Sequence, residues 1–354
     1  MAMAAYVQAF NDNEKARRRD EQEIDVAQME KIANFLVEKW PGSDRAMDAR
    51  LQLGTVYGQL KQHDQSAEWY GQVPETASQF TNAQIRAGQA YWAAYIDGAS
   101  KLAADQPPQA DLDGWMASAE KFLKNGIARS EKETPATTPA SDDLIAAKLS
   151  LVQILVSAGK YDECVKILTA QPHPIMEAIA VPDEKTRPKS GGVKSIEFAS
   201  LAYQLLLRCY VGTQELPKAQ AAMKSLENIG GGGGEALTEM YRQIGQQLQD
   251  ELARLKNQNQ LEQVNTVRKS FETFLGELSK RKDQTIGSLT WIGETYYGLA
   301  QSSGEDPSTA GNFYDAAKAY QTILDRAKED PKFIDPARLT GVRLRLVNCK
   351  REKG

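Results

Sequence analysis

Gly54 and Gly88 stand 34 residues apart, and each is followed three positions later by a tyrosine, Tyr57 and Tyr91. That interval is the period of a helix-turn-helix solenoid repeat. Such an array stacks helix pairs that bury their apolar faces against neighbouring pairs, giving an extended curved surface without an enclosed catalytic pocket. Composition agrees with a globular chain of this kind: 41% of the 354 residues are hydrophobic, enough for a large core. A formal charge of −4 over 25% charged residues gives no reason to expect a nucleic-acid partner. Apolar runs are short and broken by charges, the longest around Leu201 to Leu207, so no membrane insertion is expected. Met1 to Phe10 lacks the pattern of a secretory leader and reads as the opening of a helix.

The clearest unit runs from Leu53 to Tyr70, LGTVYGQLKQHDQSAEWY. Leu53, Gly54 and Tyr57 mark the packing face of a first helix, where glycine admits a second helix closely, and Ala67 and Tyr70 lie one turn apart on that second helix. This stretch resembles the tetratricopeptide repeat family, whose repeats place a small residue and an aromatic on the first helix and a small then a bulky residue on the second. Leu155, Gly159, Tyr161, Cys164 and Leu168 repeat the grammar, as do Tyr210 with Ala219, Met223 and Leu226, and Ile292, Gly293 and Tyr296 with Ala316 and Tyr320. Ile244, Gly245 and Leu248 begin a weaker unit whose second helix is expected over Leu261 to Lys280.

The resemblance implies an all-α, right-handed superhelical solenoid of about six to seven helix pairs along the whole chain. Its divisions are a degenerate pair over 1–45, two repeats over 46–128, single repeats over 143–170 and 196–229, a degenerate repeat over 235–280, a repeat over 285–328 and a terminal helix over 336–354. An unpaired terminal helix suggests either a piece of a longer array or a cap, the latter favoured by Arg343, Arg345, Lys350, Arg351 and Lys353. Insertions at 97–114, 130–143, 171–195 and 301–312 interrupt the rhythm. The second is rich in Thr, Pro and Ser and reads as a linker; the third contains four prolines and cannot be one helix.

Residues suited to catalysis are few. His63 is expected in a polar turn and His173 in an extended loop between Pro172 and Pro174, neither with a metal-ligating residue at suitable spacing. Cys164, Cys209 and Cys349 are far apart and read as small packing residues. The run Gly230 to Gly234 lacks the lysine and preceding strand of a phosphate loop, so a connector is the better reading. No cofactor, no metal and no enzymatic activity are therefore expected.

In tetratricopeptide arrays first helices line the concave face. By resemblance that assigns a peptide-binding face here to Gln89, Trp92, Gln153, Arg208, Arg242, Gln246, Glu294 and Tyr297. Trp92 and Tyr297 each follow a packing tyrosine, which turns them about 100° around the helix. The expected role is a non-catalytic scaffold for a protein or peptide partner. The alternative is a spacer or oligomerisation arm of a larger enzyme or envelope assembly, and self-association stays open. Phe35-Leu36 followed by Lys39-Trp40-Pro41-Gly42-Ser43 resembles a helix ending of bacterial envelope tetratricopeptide proteins, which points to a bacterial cytoplasm or periplasm.

Overall fold

The computed structural model describes residues 2–15, 18–102, 105–229, 250, 252–257, 259–280, 284–303 and 308–352. Helices in chain order are α1 (Ala2–Lys15), α2 (Arg19–Lys39), α3 (Asp44–Gln59), α4 (His63–Gly71), α5 (Phe80–Ser100), α6 (Gln109–Glu133), α7 (Asp142–Ser157), α8 (Tyr161–Thr169) and α9 (Ile175–Ala178). After a 3₁₀ turn at Glu184–Thr186 follow α10 (Ile196–Gly212), α11 (Leu216–Ile229), α12 (Leu261–Ser279), α13 (Ile286–Ser303), α14 (Ser308–Glu329) and α15 (Pro336–Glu352). The fold is all-α, with no strand among the described residues. Two compact units form: Met1–Leu155 with Ala170–Ala178, and Val156–Thr169 with Ile179–Gly354. Inside each, helices pack chiefly on their chain neighbours, as α3 on α4, α5 on α6, α10 on α11 and α13 on α14.

Helix starts follow from hydroxyls in the sequence. Ser43, Ser141, Ser195 and Thr285 accept the amides of Ala46, Leu144, Phe198 and Ser288 at 3.3, 3.2, 3.2 and 3.1 Å, which satisfies donors that have no partner inside the helix. The turns between paired helices share a more specific device. Lys61, Gly159, Gln214 and Asn259 have φ of 59°, 71°, 61° and 59°, and each lies two residues before a helix that begins at His63, Tyr161, Leu216 or Leu261. At three of these turns the following amide reaches back five residues: Gln62 to Tyr57 O at 2.9 Å, Glu215 to Tyr210 O at 2.8 Å and Gln260 to Leu255 O at 2.9 Å. At all four, the amide of the left-handed residue bonds three residues back, at 3.0 to 3.1 Å. This is the Schellman closure, and it pairs the 252–257 helix with α12 as it pairs α3 with α4.

Lys, Gln and Asn hold a conformation there that glycine adopts without a Cβ penalty. Lys61→Gly is accordingly expected to raise stability by about 1 kcal/mol, read as an upward shift of the urea midpoint. A lower midpoint would show that the exposed Lys61 side chain contributes a contact outweighing its backbone strain.

Between paired helices, glycine sets the approach. A methyl group at Gly54 would sit 2.8 Å from the Tyr70 ring, and one at Gly293 2.8 Å from the Tyr320 ring. The packing tyrosines Tyr57, Tyr210 and Tyr296 are buried as expected, while Tyr91 is half-buried and stacks on Phe122 with ring centres 5.7 Å apart. α7 is buried nearly all round by Leu144, Ile145, Ala147, Leu149, Leu151, Val152, Ile154 and Leu155, as its continuous apolar composition requires.

The connections depart from the sequence reading in two places. His63 opens α4 instead of sitting in the turn, because Lys61 already makes the reversal. The Thr- and Pro-rich connection shortens to 134–141, since α6 continues to Glu133. The segment 171–195 is not a continuous helix, yet it is tied down. Lys148, 3% exposed, donates to Glu131 Oε1 and to the carbonyls of Pro172 and His173, each at 2.8 Å. The buried Arg187 binds both Glu184 oxygens at 2.7 and 2.9 Å and the carbonyls of Ile179 and Lys194 at 2.9 and 3.1 Å. Polar groups that sequence alone leaves unpaired are thereby satisfied inside each unit. The glycine run 230–234 lies outside the described residues.

Candidate functional site

Three helices of the second unit line an open cleft. Ile286, Thr290 and Glu294 recur every four residues along one face of α13, and opposite them stand Ala337, Arg338, Gly341, Val342 and Arg345 of α15. Tyr320 of α14 and Ile334 complete an open cleft of about 340 Å³. Its polar end is an ordered cluster. Arg345 Nε lies 2.9 Å from Glu294 Oε1, and the Arg345 guanidinium lies over the Tyr297 ring, 5.4 Å from its centre. Tyr297 also packs on Phe313, edge to face at 5.5 Å, and its hydroxyl accepts from Gln301 Nε2 at 3.3 Å. The Tyr320 hydroxyl is buried beside Glu294 without a well-formed hydrogen bond; burial first, then the Glu294 charge, hold its pKa well above the ordinary value of 10.0.

The same parts recur in the first unit with different chemistry. Tyr70 covers Gly54, its hydroxyl lies 2.9 Å from Thr55 Oγ1, and Arg86 of α5 donates to it at 3.3 Å. Gly293, Glu294, Tyr320 and Arg345 thus correspond to Gly54, Thr55, Tyr70 and Arg86: a glycine, its neighbour, the covering tyrosine and an arginine from the next first helix. The acid at 294 turns a neutral hydroxyl pair into an ion pair at the wall of a cleft.

Of the residues assigned from sequence, Glu294 and Tyr297 are brought together, and Arg345, read earlier only as a solubilising cation, is what joins them. Basic residues spaced one to five places apart on a terminal helix carry no signal of which one turns inward. Gln89 and Trp92 lie half-buried on α5, where Trp92 stacks on Tyr95 at 5.3 Å and 13°. Gln153 is half-buried on α7. Arg208 of α10 is partly buried among Tyr161, Cys209, Arg254 and Cys164, and desolvation lowers its pKa. Arg242 and Gln246 lie outside the described residues.

The three cysteines are buried thiols, as their composition suggested. A hydrogen bond to Cys209, then burial, push Cys164 far up, and burial raises Cys349 to about 11. His173 lies in the non-helical stretch before α9, buried, with Nε2 3.4 Å from Thr134 O. No group of three His, Cys, Asp or Glu able to hold a metal occurs among the described residues, and no helix there is long and apolar enough to cross a membrane.

No family model matches the chain, and no curated protein matches it. Among solved structures it is similar to a circular tandem repeat protein with novel repeat topology and enhanced subunit contact surfaces. The match has 11% identity and a TM-score of 0.31, and covers 99% of this chain and 95% of that one.

Proposed function

We propose that this chain is a non-catalytic interaction scaffold of tetratricopeptide-like helix pairs that binds a protein or peptide partner on the faces of its first helices. The observation that carries the reading is the Glu294–Arg345–Tyr297 cluster at the mouth of the α13–α15 cleft. It presents charge, hydrogen-bonding capacity and aromatic area together, and Arg and Tyr are residue types that dominate interface energetics. The half-buried Trp92, stacked on Tyr95, offers a comparable rigid aromatic surface in the first unit. A fold of helix pairs with this spacing is typical of binding surfaces, and the tetratricopeptide resemblance adds the expectation of a polypeptide ligand and of a bacterial source.

The test places a photo-crosslinking benzoylphenylalanine at Tyr297, at Trp92 and, as control, at the exposed Lys318 of α14, in the cells from which the protein comes. Defined heavier adducts containing a second polypeptide are expected from Tyr297 or Trp92 and not from Lys318. The partner so identified should bind at least about tenfold more weakly to the Trp92→Ala, Tyr297→Ala double variant, the loss expected for two interface anchors. Adducts of the chain with itself alone, or from Lys318 alone, would replace this reading with the oligomerisation or spacer arm.

A further inference from the structure

The α13–α15 cleft carries more charge than its own residues neutralise. Glu294 is its one carboxylate and is already matched by Arg345 at 2.9 Å. Arg338 also lines the cleft, half-buried, and pairs with no acid among the described residues. α15 as a whole has four arginines and one lysine against the single Glu352, so its field favours an anion. The remaining walls are mainly apolar, with Ile286, Ile334, Ala337 and Val342 beside Thr290 and Tyr320. Gly341 leaves open space, since a methyl group built there meets nothing within 4 Å.

Resting on the interaction reading above, we infer that this cleft takes an acidic-apolar peptide segment, with a branched apolar side chain between Ile286, Ile334 and Val342 and a neighbouring Asp or Glu carboxylate on Arg338. A basic segment would meet two guanidiniums against one occupied carboxylate. A purely apolar one would leave the half-buried Arg338 charge further desolvated without a partner, which opposes binding. Glu294 has a positioning role: it holds Arg345, whose guanidinium lies over the Tyr297 ring.

The experiment uses the full chain and a synthetic array of N-acetylated, C-amidated hexapeptides carrying Leu-Asp, Leu-Asn, Leu-Lys or Ser-Asp in glycine-serine flanks, with the strongest binder remeasured in solution by fluorescence anisotropy. Leu-Asp peptides are expected to bind best, and raised salt to weaken them. Arg338→Glu should reduce that binding at least about tenfold by removing a charge-assisted hydrogen bond and adding repulsion. Gly341→Leu, whose Cβ would meet nothing within 4 Å and whose branch would occupy the open wall, should do the same, while Arg343→Glu, on the same helix but not lining the cleft, should change it by less than about twofold. Each variant is checked for an unchanged melting temperature. Binding that prefers Leu-Lys or Leu-Asn, or that survives both Arg338→Glu and Gly341→Leu, would overturn this inference and leave the interaction reading standing. A chain that binds no peptide on the array and gives no crosslinked partner at Tyr297 would overturn both.

Discussion

Lys148→Met is expected to destabilise the first unit by about 3 kcal/mol, the order found when one partner of a buried charged pair is removed. The side chain is 3% exposed and supplies three donors to three acceptors, Glu131 and the carbonyls of Pro172 and His173. Methionine fills a similar volume and donates nothing, so all three oxygens lose their partner. Two measurements check this. Urea unfolding should shift to a lower midpoint, and amide exchange over 171–178 should accelerate at least about tenfold, because that loop is held to α7 by this ammonium group. Glu131→Gln, which keeps an acceptor and whose side chain is 23% exposed, should cost much less. Unchanged exchange at 171–178 in Lys148→Met would show that the loop is anchored by its buried apolar residue Ile175 instead.

Gly88→Ala should cost about 3 kcal/mol, the upper end of the range for overpacking. The new methyl would lie 2.6 Å from Leu123 Cγ, 2.8 Å from Leu123 N and 3.0 Å from Ala119 O, so the backbone of α6 must move. At Gly54 the obstacle is the Tyr70 ring alone, which can tilt; Gly54→Ala should cost about 1 kcal/mol and Gly54→Leu nearer 3. Gly114, on the open side of α6 with nothing within 4 Å, supplies the opposite sign, since Ala there should stabilise by about 1 kcal/mol through helix propensity. His63→Ala, at a helix start with no side-chain hydrogen bond to it, should leave the melting temperature unchanged. Equal thermal midpoints for Gly88→Ala and the parent would show that α5 and α6 do not meet at that point.

These glycines show what could be read from the sequence and what could not. A glycine followed three residues later by a tyrosine is a local pattern, and it led to the helix pairs, to Tyr70 and Tyr320 as the covering rings and to the all-α fold. Leu261 as the start of a second helix was legible from apolar periodicity alone. The Lys148 and Arg187 clasps were not, because each joins a side chain to main-chain oxygens that no residue type advertises. The candidate site was half legible. Glu294 and Tyr297 followed from the family resemblance, whereas Arg345, 51 residues beyond Glu294, belongs to it through the packing of α15 on α14, a relation without a sequence period. Arg208 shows the converse: the resemblance put it on a binding face, and packing set it among Tyr161 and two buried cysteines.

The reversals at Lys61, Gly159, Gln214 and Asn259 are written in the backbone: one left-handed residue and amides returning to carbonyls of the helix just completed. Four different demands on side-chain identity would leave four conserved letters; this device leaves none, as a lysine, a glycine, a glutamine and an asparagine all perform it. A duplication built on such joints can therefore lose its textual likeness while keeping its geometry. The spacing between successive joints is equally unconstrained, so segments such as 171–195 can be accepted between pairs without disturbing the closure of either.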